Sequence, residues 1–198
     1  LIDLLPDFDH YSQSWTWQIN DWLPFYWAGF QQTTNYTYIL NDLTNEVNLW
    51  RGLNDNIRGD IKKASQRFNI IVKDDLPFDD LLQLNDMTFQ RQGIKQPYEH
   101  SFLKRIDLAC LKRGVRKVFI AVDQDGRKHA GAYIVWDNNS AYYLMGGGDP
   151  ELRNSGATSL CIWEAIKFSA SVTKEFNFEG SMIEPVERFF RAFGGVQT

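Results

Sequence analysis

The apolar positions from residue 43 onward recur at intervals of three and four residues. They are Leu43, Val47, Trp50, Leu53, Ile57, Ile61, Ala64 and Phe68. Residues at this spacing share one face of a helix, so the pattern predicts one long amphipathic helix over 43–68. The apolar run at 69–73 that follows is short, and it predicts a buried strand.

Two further helical patterns each end at a glycine. They extend over about 78–92 and 98–113, and Gly93 and Gly114 come directly after them. Glycine is favoured just past a helix end because it adopts the left-handed backbone conformation without steric cost. The sequence therefore predicts two helices that stop at these glycines.

The middle of the chain has the pattern of antiparallel strands. The runs 116–123 and 129–137 are rich in β-branched and aromatic residues, and Asp125-Gly126 between them is a hairpin signal. Two asparagines at 138–139 turn the chain into a third strand at 140–146. Runs that are apolar on both faces are typical of strands covered on both sides.

A strand at 35–40, a helix over 155–171, a strand at 175–180 and a last helix complete the pattern. The last helix carries an apolar stripe of Ile183, Val186, Phe190 and Phe193. From Asn69 the predicted order is β-α-α-β-β-β-α-β-α. Such an order predicts an α/β fold of the α+β type, with a mixed, mostly antiparallel sheet and helices on both faces.

Composition narrows the class of protein. The 198 residues carry a net charge of -4, which argues against nucleic-acid binding driven by total charge. The two cysteines do not indicate a disulfide framework. No apolar run approaches the roughly 20 residues of a membrane helix, and nothing resembles a signal peptide. We therefore expect no transmembrane segment and a cytoplasmic location.

Charge and aromatic content set the N-terminal part apart. Residues 1–50 contain no Lys or Arg, whereas 51–73 contain six. The tract 11–30 is aromatic, with Trp15, Trp17, Trp22, Phe25, Tyr26, Trp27 and Phe30. We expect 1–42 to be an aromatic-rich segment left from a preceding domain, and 43–198 to be a domain that lacks its last strands. Because the chain starts at Leu1 rather than Met, we expect a fragment of a longer protein.

Two stretches resemble a known superfamily. "YYLMGGGDPELRNSGATSLCIWEAIKFS" and "FNFEGSMIEPVERFFRAFGG" are similar to GNAT-fold acyltransferases, and in particular to FemAB-like proteins and related acetyltransferase domains. "RGDIKKASQRFNIIV" (58–72) resembles the helix that leads into the second GNAT domain of such proteins. The resemblance covers about Asn35 to the end. It implies a GNAT fold and transfer of an acyl group onto an amine.

The same resemblance implies the donor and the acceptor. FemAB relatives transfer an amino acid from aminoacyl-tRNA onto an amine of a peptidoglycan precursor, and other GNAT domains use acetyl-CoA or another acyl-CoA. An amine-bearing acceptor, such as a cell-wall precursor, and either donor class are therefore expected. The oligomeric state stays open.

In the superfamily, the turn Arg/Gln-x-x-Gly-x-Gly/Ala holds the pyrophosphate of acetyl-CoA. It falls here on Arg153, Gly156 and Thr158, and Thr158 departs from Gly/Ala. The residues expected to bind the donor are Gly147, Gly148, Arg153, Asn154, Ser155, Gly156 and Ala157. Backbone N–H groups and the dipole at a helix N-terminus favour an anion there. A plain strand–helix turn with Ser155 as N-cap explains the same residues.

Transfer to an amine requires a group that takes the amine's proton. Glu179, at the end of a predicted strand, is the candidate base, and Ser181 would position the amine or protonate the leaving thiolate. Tyr142 and Tyr143 alternate across the sheet, and Tyr143 is the candidate general acid. Alternatively, Glu179 caps the next helix or pairs with Arg188 or Arg191, and both tyrosines are packing residues.

Further polar residues are candidates for contact with the acceptor. Arg91 and Gln92 end a predicted helix where GNAT relatives build the acceptor wall, and Arg58 belongs to a basic helix stripe that could grip an anionic acceptor or tRNA. A solvated helix surface explains these residues equally well. The three histidines have neither the spacing of a metal site nor that of a catalytic triad, so no metal is expected.

A hypothesis of another class is a catalytically inactive GNAT-fold module. It would recognise a glycan, peptide or protein through the aromatic tract 11–30. The same tract could instead pack on a neighbouring domain.

Overall fold

The computed structural model describes residues 2, 5, 7–16, 18, 19 and 21–198, so Trp17 of the aromatic tract lies outside the described residues. The helices are α1 (Leu23–Trp27), α2 (Glu46–Gly52), α3 (Asp55–Lys62), α4 (Phe78–Gln92), α5 (His100–Arg113), α6 (Ala157–Ser169) and α7 (Glu184–Arg191). The strands are β1 (Tyr38–Leu40), β2 (Ile71–Lys73), β3 (Arg116–Val122), β4 (Lys128–Trp136), β5 (Ser140–Gly148), β6 (Glu175–Asn177) and β7 (Val196–Gln197). A π-helical turn at Lys63–Arg67 extends α3, and a 3₁₀ turn at Arg153–Ser155 precedes α6.

Within the described residues the strands form one sheet in the order β2-β3-β4-β5-β6-β1-β7. Every neighbouring pair is antiparallel except β5 and β6, which are parallel. The helix between them, α6, makes the crossover that parallel neighbours require. The sequence prediction of a mixed, mostly antiparallel sheet in an α/β fold is confirmed.

Helices cover both faces of the sheet. On one face α6, the crossover helix, is nearly all buried and packs with α3 and α7 over β3, β4 and β6. On the other face α4 supplies Leu81, Leu82 and Leu84 to a second core with Val118 and Ile120 of β3. The apolar strands of the middle of the sheet are thus covered on both sides, as their sequence predicts.

The prediction of one long helix over 43–68 is wrong, because two separate helices, α2 and α3, occupy this stretch. α2 ends at Gly52, and the next residue, Leu53, has an extended backbone (φ -62°, ψ 140°). The Asn54 side chain caps α3 by accepting from the Asn56 N–H. Trp50 of α2 and Ile57 and Ile61 of α3 pack on the same core, which explains why the periodicity continues across the break. Val47, on the same predicted stripe, is 58% exposed.

The strand predicted at 69–73 is also different from expectation. Among the strands that the structure describes, β2 lies at the edge of the sheet and pairs with β3 alone, and Ile71 is 58% exposed. The buried residue of this stretch is Ile70, which precedes the strand. Periodicity alone does not separate a short buried strand from a short edge strand.

The terminal parts of the chain meet in the sheet. β1, which falls inside the predicted N-terminal segment 1–42, pairs with β6 on one side and with β7, at the end of the chain, on the other. Among the residues whose structure is described, none of the helices combines the length and apolar character needed to cross a bilayer.

Candidate functional site

The parallel strands β5 and β6 separate after a short paired stretch. They are in register only from Ser140, opposite Glu175, to Tyr142, opposite Asn177. On its other side β5 stays paired with β4 as far as Gly148. The edge of β5 from Tyr143 to Gly148 therefore has no β6 partner, and the two strands open a wedge at their C-terminal ends. In open α/β sheets, ligands bind outside these ends.

A bulge lies at the start of the wedge. Tyr133 of β4 faces Met145 and Ile134 faces Tyr143, so Leu144 is an extra residue in β5. Its side chain is 46% exposed. Bulges twist a strand and re-aim its side chains, and they are common beside active sites.

Gly147 allows α4 to lie directly on β5. A Cβ added to Gly147 would come within 2.4 Å of the Asn85 backbone nitrogen. Two side chains of α4 then take up strand backbone groups: Asn85 Nδ2 donates to the Gly146 carbonyl at 2.6 Å, and the Gly148 N–H donates to Thr88 Oγ1 at 3.0 Å. The glycines at the end of β5 thus allow close packing of α4, and they also lie at the edge of the wedge.

Glu179 follows β6 at the same edge of the sheet. Its backbone is left-handed, with φ 57°, and its N–H donates to the Asn177 side-chain oxygen at 2.8 Å. Although the residue is exposed, protein atoms around its carboxyl remove part of its hydration and raise the pKa of that carboxyl. The alternative pairing with Arg188 or Arg191 is not found, because these arginines pair with Glu184 and Glu187 of their own helix.

The two tyrosines of β5 face opposite sides of the sheet. Tyr143, the predicted general acid, packs edge-on against Phe190 with ring centroids 5.7 Å apart, and burial raises its pKa. Burial also raises the pKa of Tyr142, and its hydrogen bond to Asp137 and the nearby charge of Glu179 act in the same direction. The structure thus packs the ring of Tyr143 on Phe190 and places its hydroxyl against Gly146, where it would overlap an added Cβ. Its role as general acid stays a prediction.

Ser181 has a local structural partner. Its hydroxyl oxygen accepts from the Ile183 N–H at 3.1 Å, just before α7. Glu179 and Ser181 are therefore in one loop, but Ser181 is engaged in ordering the start of the next helix.

The loop expected to cradle an anion has fewer free N–H groups than the resemblance implies. The N–H groups of Asp149, Glu151, Leu152, Ser155 and Ala157 all donate within the protein. The helical ladder of α6 begins with Leu160 N–H to Gly156 O, so Thr158 and Ser159 in its first turn have no acceptor inside the helix. Within the described part of the chain these two N–H groups are available to a ligand, although Ser159 itself is buried.

The side chains of the same loop fall into two groups. Arg153 and Asn154 are exposed, and Arg153 forms no ion pair with any residue of the described chain. Gly156 is buried with φ 81°, and an added Cβ would lie 2.3 Å from the Asp60 carbonyl of α3. The predicted donor-binding residues therefore share one loop, but only Arg153 and Asn154 present their side chains to solvent.

A buried chain of polar side chains lies behind this loop, and the spacing of the histidines in the sequence does not reveal it. His129 Nδ1 is 3.1 Å from Ser155 Oγ, and His129 Nε2 is 3.0 Å from Asp123 Oδ2. Hydrogen bonds from His129 and Arg127 hold the pKa of Asp123 well below its usual range, so Asp123 is an acceptor. His129 and Ser155 are each 4% exposed, which favours a role in fixing the loop over attack on a substrate.

The predicted acceptor residues are dispersed. Arg58 folds back on the α2–α3 connection, where it donates to the carbonyls of Arg51 and Leu53 and pairs with Asp55. Arg91 and Gln92 are exposed at the end of α4, one turn beyond Thr88, which contacts Gly148. The structure thus places Arg91 and Gln92, but not Arg58, near the wedge edge of the sheet.

Solved structures share this architecture. FemX matches with a TM-score of 0.73 and 14% identity over 82% of this chain and 59% of its own. A conserved protein of unknown function from Bacteroides thetaiotaomicron matches with 0.60 and 13% over 83% and 57%. The C-terminal domain of a protein named as a lysylphosphatidylglycerol synthetase from Agrobacterium fabrum matches with 0.60 and 12% over 82% and 57%.

The chain spans somewhat less than two thirds of the length of these structural relatives. No curated protein sequence matches it. The sequence pattern of the acetyltransferase (GNAT) domain family matches residues 52–177, more than half of the chain. Together with the wedge between β5 and β6, this match shows that the chain belongs to the acetyltransferase (GNAT) domain family, with a FemAB-like fold.

Proposed function

We propose that this domain transfers an acyl or aminoacyl group from an activated donor onto an amine. The observation that carries the proposal is the wedge between β5 and β6 with the carboxyl of Glu179 beside it. The edge of β5 without a β6 partner offers backbone groups to an extended donor, apart from the Gly146 carbonyl and the Gly148 N–H, which α4 side chains bind. Leu144 bulges where the strands part. FemX and the lysylphosphatidylglycerol synthetase fold support the choice of amine acceptors and aminoacyl donors.

The donor's anionic part would bind at the start of α6. The residues that could hold it are the exposed Arg153 and the N–H groups of Thr158 and Ser159. This set is smaller than a full pyrophosphate cradle, and it fits either an acyl-CoA or the phosphates of an aminoacyl-tRNA acceptor end. Arg91 and Gln92 would flank the acceptor, and a cell-wall precursor is one amine-bearing candidate.

Glu179 would remove the proton of the acceptor. An amine is protonated near neutral pH and must become neutral before it attacks a carbonyl carbon. A carboxyl whose pKa is raised is a stronger base than an ordinary glutamate, and desolvation does this for Glu179. Backbone N–H groups at the edge of β5 other than that of Gly148, which donates to Thr88, would stabilise the oxyanion that forms. The carbonyl then re-forms as the donor's thiolate or tRNA oxygen leaves and takes the proton that Glu179 removed.

Thermal unfolding with candidate donors tests the proposal. A ligand at about 100 times its Kd adds about 2.7 kcal/mol to the free energy of unfolding. For a chain of this size that is a rise of about 5–10 °C in Tm. We expect acetyl-CoA to raise the Tm and R153A to reduce the rise, with R113A, at the end of α5 on the other face of the sheet, as control.

An aminoacyl-tRNA donor has a different signature. Its acceptor-stem mimic would bind with an affinity that falls steeply with salt. If neither donor changes the Tm of the protein, the transferase proposal is contradicted.

One observation favours the inactive binding module as second candidate. Tyr26 and Trp27 are adjacent on α1 and are 60% and 74% exposed, as in a surface that stacks on a glycan or a peptide. E179Q separates the candidates: it should abolish acyl transfer if the domain is an enzyme. E179Q should leave the affinity for a glycan or peptide unchanged if Tyr26 and Trp27 carry the function.

A further inference from the structure

The backbone of Glu179 has a conformation that glutamate rarely adopts. Its φ is 57°, and in the described part of the chain Asn69 is the one other non-glycine residue with positive φ. Asparagine tolerates this region better because its short side chain can bond locally. Strain of this kind persists only where the surroundings over-determine it, and it concentrates at functional positions.

The Asn177 side chain is one of the groups that hold Glu179. Its Oδ1 accepts from the Glu179 N–H at 2.8 Å and from the Thr37 hydroxyl, also at 2.8 Å. Asn177 itself is fixed in the sheet, where it lies opposite Tyr142 of β5 and Ile39 of β1. The pairing with two neighbouring strands therefore fixes the position of its amide oxygen, independently of the loop after β6.

Gly180 supplies a second constraint. It also has positive φ, 68°, and a Cβ added to it would lie 2.1 Å from the Tyr36 carbonyl. The loop after β6 is thus pressed against the chain that leads into β1. Two consecutive left-handed residues turn the chain sharply directly after β6, next to Tyr142 of β5, which lies opposite Asn177.

We propose that Asn177, oriented by Thr37, is a positioning residue that holds Glu179 where its carboxyl can take a proton from the acceptor amine. This inference rests on the proposed function, in which Glu179 is the base. Asn177 does not touch the reacting atoms. It acts through the loop conformation, and Thr37 acts through Asn177.

The titration of Glu179 is a readout that needs no substrate. The titratable group of the neighbouring strand is Tyr142 of β5, which lies opposite Asn177 and whose hydroxyl donates to Asp137. Thr37, which directly precedes β1, is uncharged. Carbon-13 NMR of labelled glutamate carboxyls, with the Glu179 signal assigned by its loss in E179Q, follows the titration directly. In the wild-type protein we expect Glu179 to titrate above the ordinary value of about 4.3.

Four variants separate an effect on the position of the Glu179 carboxyl from a general loss of stability. In N177A the loop is released, the carboxyl regains water, and its pKa should fall towards the ordinary value. T37V removes only the bond to Asn177 Oδ1 and should shift the titration in the same direction by less, whereas T37S should restore wild-type behaviour. T44V removes a similar hydroxyl bond, to Asp42 at 2.6 Å on the remote surface, and should leave the titration unchanged.

An unchanged Glu179 titration in folded N177A and T37V overturns the inference, whatever the turnover. The transfer assay with acetyl-CoA and primary amines tests the proposed function separately. If E179Q is fully active, Glu179 is not the base and the proposed function loses its catalytic residue. If E179Q is inactive while N177A matches the wild type in both titration and pH profile of kcat/KM, only the positioning role fails.

Discussion

The backbone of α4 lies against β5 at Gly147, where an added Cβ would come within 2.4 Å of the Asn85 nitrogen. The neighbouring atoms are helix backbone, which cannot move aside as a side-chain end can. The contact therefore fixes the distance between α4 and the wedge, and Asn85 and Thr88 bond the strand from the same helix.

G147A should destabilise the protein. Overpacking against backbone costs about 1–3 kcal/mol or more, which corresponds to a fall in Tm of about 2–4 °C for each kcal/mol. G59A is the matched control, because Gly59 lies inside α3 with nothing within 4 Å of an added Cβ. It should stabilise by about 0.5–1 kcal/mol, since alanine is the better helix former. Equal Tm values for the two variants would contradict the close packing of α4 on β5.

E179G should raise stability while it removes activity. Glycine adopts the left-handed region without the steric cost of about 1 kcal/mol that glutamate bears there, so we expect a rise of about 2–4 °C in Tm. Glu179 forms no ion pair within the described chain that would be lost. Thermal melts and the transfer assay on the same preparation check both outcomes.

N69G is the control for this strain argument. Asn69 has φ 49° and is exposed, but asparagine is better suited to the left-handed region, so its replacement should change stability less. A loss of stability in E179G would show that the glutamate side chain supports the fold rather than function.

Local signals in the sequence were sufficient for most elements. Gly93 and Gly114 are indeed left-handed residues directly after α4 and α5, as the pattern predicts. The break between α2 and α3 was missed, although Asn45 and Asn54 are both N-caps and offered a signal. The apolar stripe continues across the two capping residues and so predicts a single helix, because both helices pack on one core.

The site was harder to predict for a physical reason. Sequence alternation separates Tyr142 from Tyr143 but does not say which face α6 and α7 cover. Asp123, His129 and Ser155 meet only because the β3–β4 hairpin and the loop before α6 lie side by side, although Ser155 is 26 positions after His129 in the sequence. No spacing in the sequence records such a contact.

The ionised state of Asp123 should govern part of the acid sensitivity of the protein. Its pKa is lowered in the folded state, by hydrogen bonds from His129 and Arg127. Its contribution to stability is therefore present above the ordinary pKa of about 3.9 and is lost as the pH falls below it. Urea unfolding at pH 7, 5 and 3 should show a decline at low pH that is smaller in D123N, which is already less stable at pH 7. D125N, in the same turn with an exposed side chain, should follow the wild type; if D123N also follows it, Asp123 does not hold the loop.

The ion pair between Asp107 of α5 and Arg116 of β3 should contribute to stability by holding α5 on the sheet. Arg116 Nε lies 3.0 Å from Asp107 Oδ1, and the side chains are 17% and 12% exposed. Removing one partner leaves the other charged and poorly hydrated, so R116M should cost about 3 kcal/mol. K104M, which removes an exposed pair with Asp79, should cost less than about 1 kcal/mol.

The double variant D107L/R116M makes this prediction sharper. Because the double variant leaves no unpaired charge, it should be more stable than R116M alone. Chemical denaturation of R116M, K104M and D107L/R116M under the same conditions measures the difference. If R116M and K104M cost the same, the pair is effectively solvated, and packing rather than charge joins α5 to β3.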